Sequence, residues 1–229
     1  MKIGVPTELK SQESRVGLTP DSVRTLVNSG HQIIIQDKAG IGTGFSNEDY
    51  QNSGAFIVYS AQDVYSDSDM IVKVKEPLDS ELSLIQENQI VFTYFHLSTS
   101  STLAEGLINS KSVCIAYETV TNDQGELPLL MPMSQVAGRM SVQAGAHALE
   151  KPQLGRGILL GGVPNIPSAK VLILGGGTVG ENAAIIAIGM QAEVFIIDKS
   201  DEKLKELHRK FGTSITTLNS NNIDIGDYV

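Results

Sequence analysis

Apolar and polar positions alternate in blocks along the first 120 residues. KIGVP at the amino terminus and QIIIQ at 32–36 are short apolar runs bounded by polar or turn residues, the pattern of buried strands. Between them Val23, Leu26 and Val27 recur at helical spacing, with Thr19 placed to cap the helix, Pro20 in its first turn and Gly30 at its end. Further strands are expected at MIVKVKEP (70–77), QIVFTYFH (89–96) and KSVCIAYE (111–118), separated by helix-like segments such as DSELSLIQEN. Such alternation predicts an α/β fold with a parallel sheet. The single cysteine, Cys114, sits in an apolar run and is expected in the core.

The pattern changes near residue 127. LPLLMPMS carries two prolines and leads into VAGRMSVQAGAHALEK, a helix rich in Gly and Ala whose expected N-cap is Ser134. This break divides the chain into expected domains at 1–128 and 129–229. After the Gly- and Pro-rich GRGILLGGVPNIPSAK, strands are expected at VLIL, EVFII and SITTL, and NSNNIDIGDYV shows no further period.

Gly175, Gly177 and Gly180 form G-x-G-x-x-G directly after VLIL and at the start of a helix, the context in which this pattern implies dinucleotide binding. The first glycine allows the tight turn, the second lets backbone approach a pyrophosphate, and the third lets helix and strand pack closely. The free N–H groups of the helix start favour phosphate. The second strand, EVFIID, ends in Asp198, where a carboxylate suits ribose hydroxyls and repels a 2′-phosphate, so NAD is expected over NADP. Lys199 and Lys203 lie near enough in sequence to soften that repulsion.

Charge and length narrow the partners. With 17 basic against 26 acidic residues the net charge is −9, which leaves no diffuse positive field for nucleic acid or anionic lipid. No apolar run reaches signal-peptide or membrane-span length, so a cytoplasmic protein without membrane partners is expected, and no metal site is expected.

In open α/β sheets ligands gather outside the carboxyl ends of the strands. Three basic side chains are expected on that rim: Arg15 after the first strand, Lys75 at the end of MIVKVK, and His96 at the end of QIVFTYFH. Lys73 and Lys75 share a face by alternation, so one of them could be no more than a solvated neighbour. Arg15 could hold a carboxylate through its planar fork, Lys75 could polarise a carbonyl, and His96 could exchange protons near neutral pH. With NAD, that set suggests hydride transfer on a small oxo or amino acid.

GVPTELKSQESRVGLTPDSVRTLVNSGH, VKVKEP, FTYFHL, AYETV, PMSQVAGRMSVQAGAHALEK, GRGILLGGVP and LGGGTVGENAAIIAIGMQAEVFIID together resemble the bacterial NAD-dependent alanine dehydrogenases, across essentially the whole chain. Gln12 and Gly17 stand where relatives often show Asn and Ala. The resemblance implies a Rossmann-like catalytic domain followed by a Rossmann dinucleotide-binding domain, and the reversible oxidative deamination of L-alanine to pyruvate and ammonium. It implies that Arg15 and Lys75 bind substrate, that His96 moves the proton, and that Ser134, Thr178, Val179, Asp198, Lys203 and Ser220 contact NAD beside the three glycines. It also implies a homo-oligomer, commonly a hexamer.

From Val171 onward the sequence is roughly half as long as a full dinucleotide fold requires, so only its first half is expected, with VLIL as an unpaired apolar edge. Relatives continue into a second half that supplies an aspartate beside His96. The chain by itself is therefore expected to be insoluble or inactive. Two other readings stay open. One is the NAD-binding subunit of a proton-translocating transhydrogenase, against which the Lys75 and His96 pair and SQVAGRMSVQAGAHALE argue. The other is a non-catalytic NAD-binding fragment.

Overall fold

The computed structural model describes residues 1–228, and the chain divides into two units, Met1–Leu127 and Pro128–Val229. The first unit runs β1 (Lys2–Val5), α1 (Pro20–Asn28), β2 (Gln32–Gln36), α2 (Asn47–Asn52), β3 (Phe56–Val58), α3 (Ala61–Ser66), β4 (Met70–Val72), α4 (Asp79–Leu82), β5 (Ile90–Thr93), α5 (Ser101–Ser110) and β6 (Val113–Ala116). Its six strands are all parallel, in the order β3-β2-β1-β4-β5-β6. In register, Ile3 lies opposite Ile33 on one side and Met70 on the other.

Strand alternation places Ile33 and Ile35 on one face and Ile34 on the other. Two cores result. Ile3, Val5, Ile33, Ile35, Val72 and Tyr50 pack together on the first face. Ile34, Val64, Tyr65, Ile71, Val91 and Phe95 pack on the second. The first helix begins as its sequence predicts: Thr19 Oγ1 accepts from the Ser22 N–H at 3.3 Å, Pro20 opens the helix, and Gly30 follows it at φ 85°.

Several expectations need correction. β3 is a strand the pattern missed, three residues long at the sheet edge, with Phe56 exposed. DSELSLIQEN yields only the single turn of α4. β4 and β5 stop at Val72 and Thr93: the Lys73 N–H still donates to the Phe92 carbonyl at 3.1 Å and the Tyr94 N–H to the Val74 carbonyl at 3.4 Å, but the backbone groups beyond them turn to side chains. The Val74 N–H donates to Glu8 at 2.6 Å, and Phe95 and His96 donate to Glu118 at 3.1 and 2.8 Å. Cys114 is exposed rather than buried. It lies on the edge strand β6, flanked by exposed Val113 and Ile115.

The second unit runs α6 (Met131–Ala148), β7 (Lys170–Leu174), α7 (Thr178–Gly189), β8 (Glu193–Asp198), α8 (Asp201–Phe211) and β9 (Ile215–Asn219). Its strands form a parallel sheet in the order β7-β8-β9, and among the described residues no strand pairs with the other side of β7. Ile173, Ala184, Val194, Ile196, Leu207 and Ile215 form its core. Ser134 does not cap α6. The helix starts at Met131, since Pro132 is tolerated where an N–H has no partner anyway, and Ser134 already donates its N–H to the Leu130 carbonyl at 3.0 Å. The small residues of α6 do permit close approach: a Cβ on Gly138 would fall 2.2 Å from the Val179 carbonyl oxygen on α7.

Candidate functional site

The order of the first sheet reverses between β1 and β4, and loops leaving a parallel sheet on either side of such a point diverge to open a crevice. Arg15 comes from the loop after β1, Lys75 from the loop after β4 and His96 from the turn after β5. The structure brings their surroundings together. Tyr94 stacks on the His96 ring with centroids 6.1 Å apart, and the Arg15 charge acts on the Tyr94 phenol. Thr93 Oγ1 donates to the Lys75 carbonyl at 2.8 Å.

Each of the three is held by a carboxylate the sequence reading did not single out. Glu13 takes two bonds from the Arg15 guanidinium, Nε to Oε1 at 2.8 Å and Nη2 to Oε2 at 2.6 Å, a bidentate fork. Those bonds, followed by the Arg15 backbone N–H and the charges of Arg15 and Lys75, outweigh burial and lower the Glu13 carboxyl to about 2. Glu8 accepts the N–H of Val74 at 2.6 Å and of Lys75 at 3.4 Å, fixing the backbone beneath the Lys75 side chain. Glu118 accepts the His96 N–H and holds that residue in a left-handed turn, φ 49° and ψ 41°. Glu8 and Glu13 lie in the same loop as Arg15, and Glu118 closes the strand segment KSVCIAYE. Sequence position hinted at them; only the fold shows which backbone each one grips.

Lys73 is not a solvated neighbour of Lys75. Its side chain is 0% exposed, and its Nζ lies 2.8 Å from Glu81 and 3.3 Å from Glu8. Burial, opposed by the Lys73 charge, raises the Glu8 carboxyl above its usual range.

In the second unit the glycine motif forms a strand-turn-helix. Gly175 takes φ 95°, which an L side chain rarely adopts, and Gly177 stands at the N-cap of α7 with no side chain capping that helix. A Cβ on Gly180 would lie 1.9 Å from the Gly175 carbonyl oxygen, so this position admits glycine alone if the turn is kept. At Gly175 and Gly177, by contrast, an added Cβ would meet nothing within 4 Å. These two glycines therefore border open space at the helix start, as a phosphate cradle requires.

Two cavities meet at that turn. One of about 770 Å³ is lined by Ser134, Gly175, Gly177, Thr178, Val179 and Gly180 among others, bordered by α6, β7 and α7. The other, about 330 Å³, joins Gly175 to Asp198 and Ser220 at the carboxyl ends of the three strands. Asp198 accepts from the Gly176 N–H at 2.7 Å and the Ser200 N–H at 2.9 Å, in that order the bonds that lower its carboxyl. Lys203 lines neither cavity. Its ammonium is drawn to Glu206 at 3.1 Å and Glu181 at 3.7 Å. No helix among the described residues is long and apolar enough to cross a membrane.

A parallel strand-helix-strand unit with this glycine turn, and an acidic residue closing its second strand, defines a dinucleotide-binding fold of the Rossmann type. The first unit adds a parallel α/β sheet with its own basic rim. The chain belongs to the alanine dehydrogenase/PNT family, whose N-terminal domain matches residues 4–137 and whose C-terminal domain matches residues 141–229. It is 48% identical to an alanine dehydrogenase of Staphylococcus epidermidis over all 229 residues, which are 62% of that relative's length. To an alanine dehydrogenase of Methanococcus maripaludis it is 48% identical, over 100% of this chain and 61% of the relative. A solved L-alanine dehydrogenase superposes with a TM-score of 0.88 at 52% identity, covering 96% of this chain and 61% of that one. The chain thus spans about three-fifths of the length of these relatives. A transhydrogenase from Sinorhizobium meliloti shares the fold, with a TM-score of 0.79 at 20% identity over 100% of this chain and 63% of its own.

Proposed function

We propose that this chain carries the substrate rim and the adenosine and pyrophosphate half of the cofactor site of an NAD-dependent alanine dehydrogenase. That enzyme converts L-alanine reversibly to pyruvate and ammonium, here in the cytoplasm and as a homo-oligomer. In this reading the unit Met1–Leu127 handles substrate and the unit Pro128–Val229 holds NAD. The observation that carries the proposal is the convergence of Arg15, Lys75 and His96 on one rim in a chain so similar to alanine dehydrogenases.

Arg15, its fork oriented by Glu13, meets the alanine carboxylate. Lys75 faces the carbonyl oxygen of pyruvate, or the nitrogen-bearing carbon of alanine, and stabilises charge that develops there. His96 takes and returns the proton as water adds to the reacting carbon and ammonium leaves. Bound NAD supplies the acceptor for the hydride removed from alanine. Gly175, Gly177 and the uncapped start of α7, with Thr178 and Val179, fit its pyrophosphate, because space is open at both glycines. Asp198 and Ser220 border the place of the adenine-side ribose, Ser134 lines the larger cavity, and Lys203 lies beside the turn. Asp198, ionised and aimed at the turn, favours NAD over NADP.

The test is a calorimetric titration of the chain with NAD, paired with alanine-dependent NAD reduction by the active protein. NAD should bind, and Lys75→Ala or His96→Ala should abolish turnover while leaving NAD affinity intact. Failure to bind NAD would refute the cofactor site, and near-normal turnover in either variant would refute the substrate rim.

A further inference from the structure

Lys75 has two carboxylates for neighbours and is bonded to neither. The charge of its ammonium acts on Glu13 and on Glu76, yet among the described residues it forms no ion pair. Each carboxylate is taken by a different cation. Glu13 is closed in the Arg15 fork. Glu76, the residue that follows Lys75, takes the ammonium of Lys10, which reaches it from the loop after β1.

Glu76 can accept more than it receives. Its side chain is 15% exposed, against 42% for Lys10, and its Oε2 is buried with no hydrogen-bond partner among the described residues. Burial pushes this carboxyl up, but the Lys10 bond, the Glu76 N–H and the charges of Lys10 and then Lys75 hold it below the usual carboxylate range. A carboxylate that is nearly enclosed and still ionised is costly without a cation. Besides Lys10, the cation whose charge reaches it is Lys75.

Resting on the reading of Lys75 as a substrate-binding residue, we propose that Lys10 is a positioning residue: by occupying Glu76 it leaves the Lys75 ammonium free for the oxygen of pyruvate, as Arg15 does by occupying Glu13. Without Lys10, Glu76 turns to Lys75 and competes with substrate. This role differs from that of a clasp between two loops. A clasp fails whichever partner is removed, whereas a guard against self-pairing fails only when Lys10 goes and Glu76 stays.

The experiment compares the unaltered chain, Lys10→Met, Glu76→Gln and the double variant by trace acetylation with acetic anhydride at constant pH, the Lys75 peptide being quantified by mass spectrometry. Thermal melting checks that each is folded, and the KM for pyruvate is measured on the active protein. Lys10→Met should slow Lys75 acetylation and raise the KM for pyruvate by on the order of tenfold each, because a carboxylate close by holds an ammonium in its unreactive charged form. Glu76→Gln should leave both close to those of the unaltered chain, and adding it to Lys10→Met should restore both. The proposal is overturned if Lys10→Met leaves Lys75 reactivity unaltered, or if the deficit persists in the double variant. Either result with Lys75→Ala inactive strikes this inference alone, whereas near-normal turnover by Lys75→Ala strikes the substrate rim and this inference with it.

Discussion

Replacing Lys73 with methionine would remove one charge from a closed set of three. Lys73, Glu81 and Glu8 have side chains 0%, 2% and 3% exposed, and among the described residues the lysine is the only cation bonded to either carboxylate. The remaining oxygens are bonded too: Glu81 accepts from Tyr65 OH at 3.1 Å and Leu78 N–H at 3.0 Å, and Glu8 from Val74 N–H at 2.6 Å. Lys73→Met keeps the volume and leaves two buried carboxylates without a cation. Removing one partner of a buried pair costs about 3–5 kcal/mol, a large share of the roughly 5–15 kcal/mol that holds a domain together. The loss should depend on pH. Burial already raises Glu8 above its ordinary value of 4.5, and the variant removes the lysine that opposes this rise. A group whose folded pKa is raised contributes fully below its unfolded pKa and loses that contribution as pH rises through the folded value. The deficit of the variant should therefore be largest near neutrality and shrink as pH falls toward 4.5. Urea unfolding followed by near-ultraviolet tyrosine circular dichroism suits the measurement, because the chain has no tryptophan and five of its six tyrosines, Tyr50, Tyr59, Tyr65, Tyr94 and Tyr117, lie in the first unit. A neutral-pH loss below about 1 kcal/mol, or a deficit equal at both pH values, would refute the reasoning.

Two further substitutions probe the proposed sites. Gly180→Ala drives a methyl group to 1.9 Å from the Gly175 carbonyl oxygen, so the turn must open; NAD affinity should fall below detection and the second unit should melt earlier, and calorimetry showing unaltered affinity would contradict this. Glu118→Ala frees the amides of Phe95 and His96, at about 1–3 kcal/mol for the buried Phe95 N–H if it stays unpaired, and should lower kcat more than it raises KM as the imidazole loses its placement. Glu118→Gln keeps an acceptor oxygen and should recover much of the rate. Equal kcat in all three proteins would dismiss Glu118 as a positioning residue.

The parts of the fold legible in the sequence were those set by local rules. Thr19 and Pro20 announced α1, and the glycines with VLIL announced the turn after β7, because capping and positive φ depend on a few neighbouring residues. What stayed hidden depends on partners distant in sequence. Alternation put Lys73 and Lys75 on one face but could not show that Glu8, from the loop after β1, reaches into the core to meet Lys73. The run VCIAYE looked buried because an edge strand keeps β-forming apolar residues on both sides, so Cys114 was misplaced. Ser134 looked like a cap because Pro132 was taken as a break, whereas proline near the start of α6 costs no hydrogen bond. At the rim, Arg15, Lys75 and His96 stood out as basic residues after strands; the carboxylates that orient them did not, since Glu8 and Glu118 grip backbone N–H groups that no side-chain pattern records, and Glu13 meets the Arg15 guanidinium only through the shape of their shared loop.

The first strand made is also an inner strand of the six, and this has a consequence for biosynthesis. β1 pairs with β2 after a short delay, but its other side waits for β4, some 65 residues further along the chain. At roughly 5–20 residues per second, that side stays unpaired for on the order of 3–13 s during translation. For that interval the nascent chain exposes the strand that will carry the Glu8, Glu13 and Arg15 loop, so slow codons between residues 37 and 70 would lengthen the period in which a chaperone, or a neighbouring nascent chain, competes with β4.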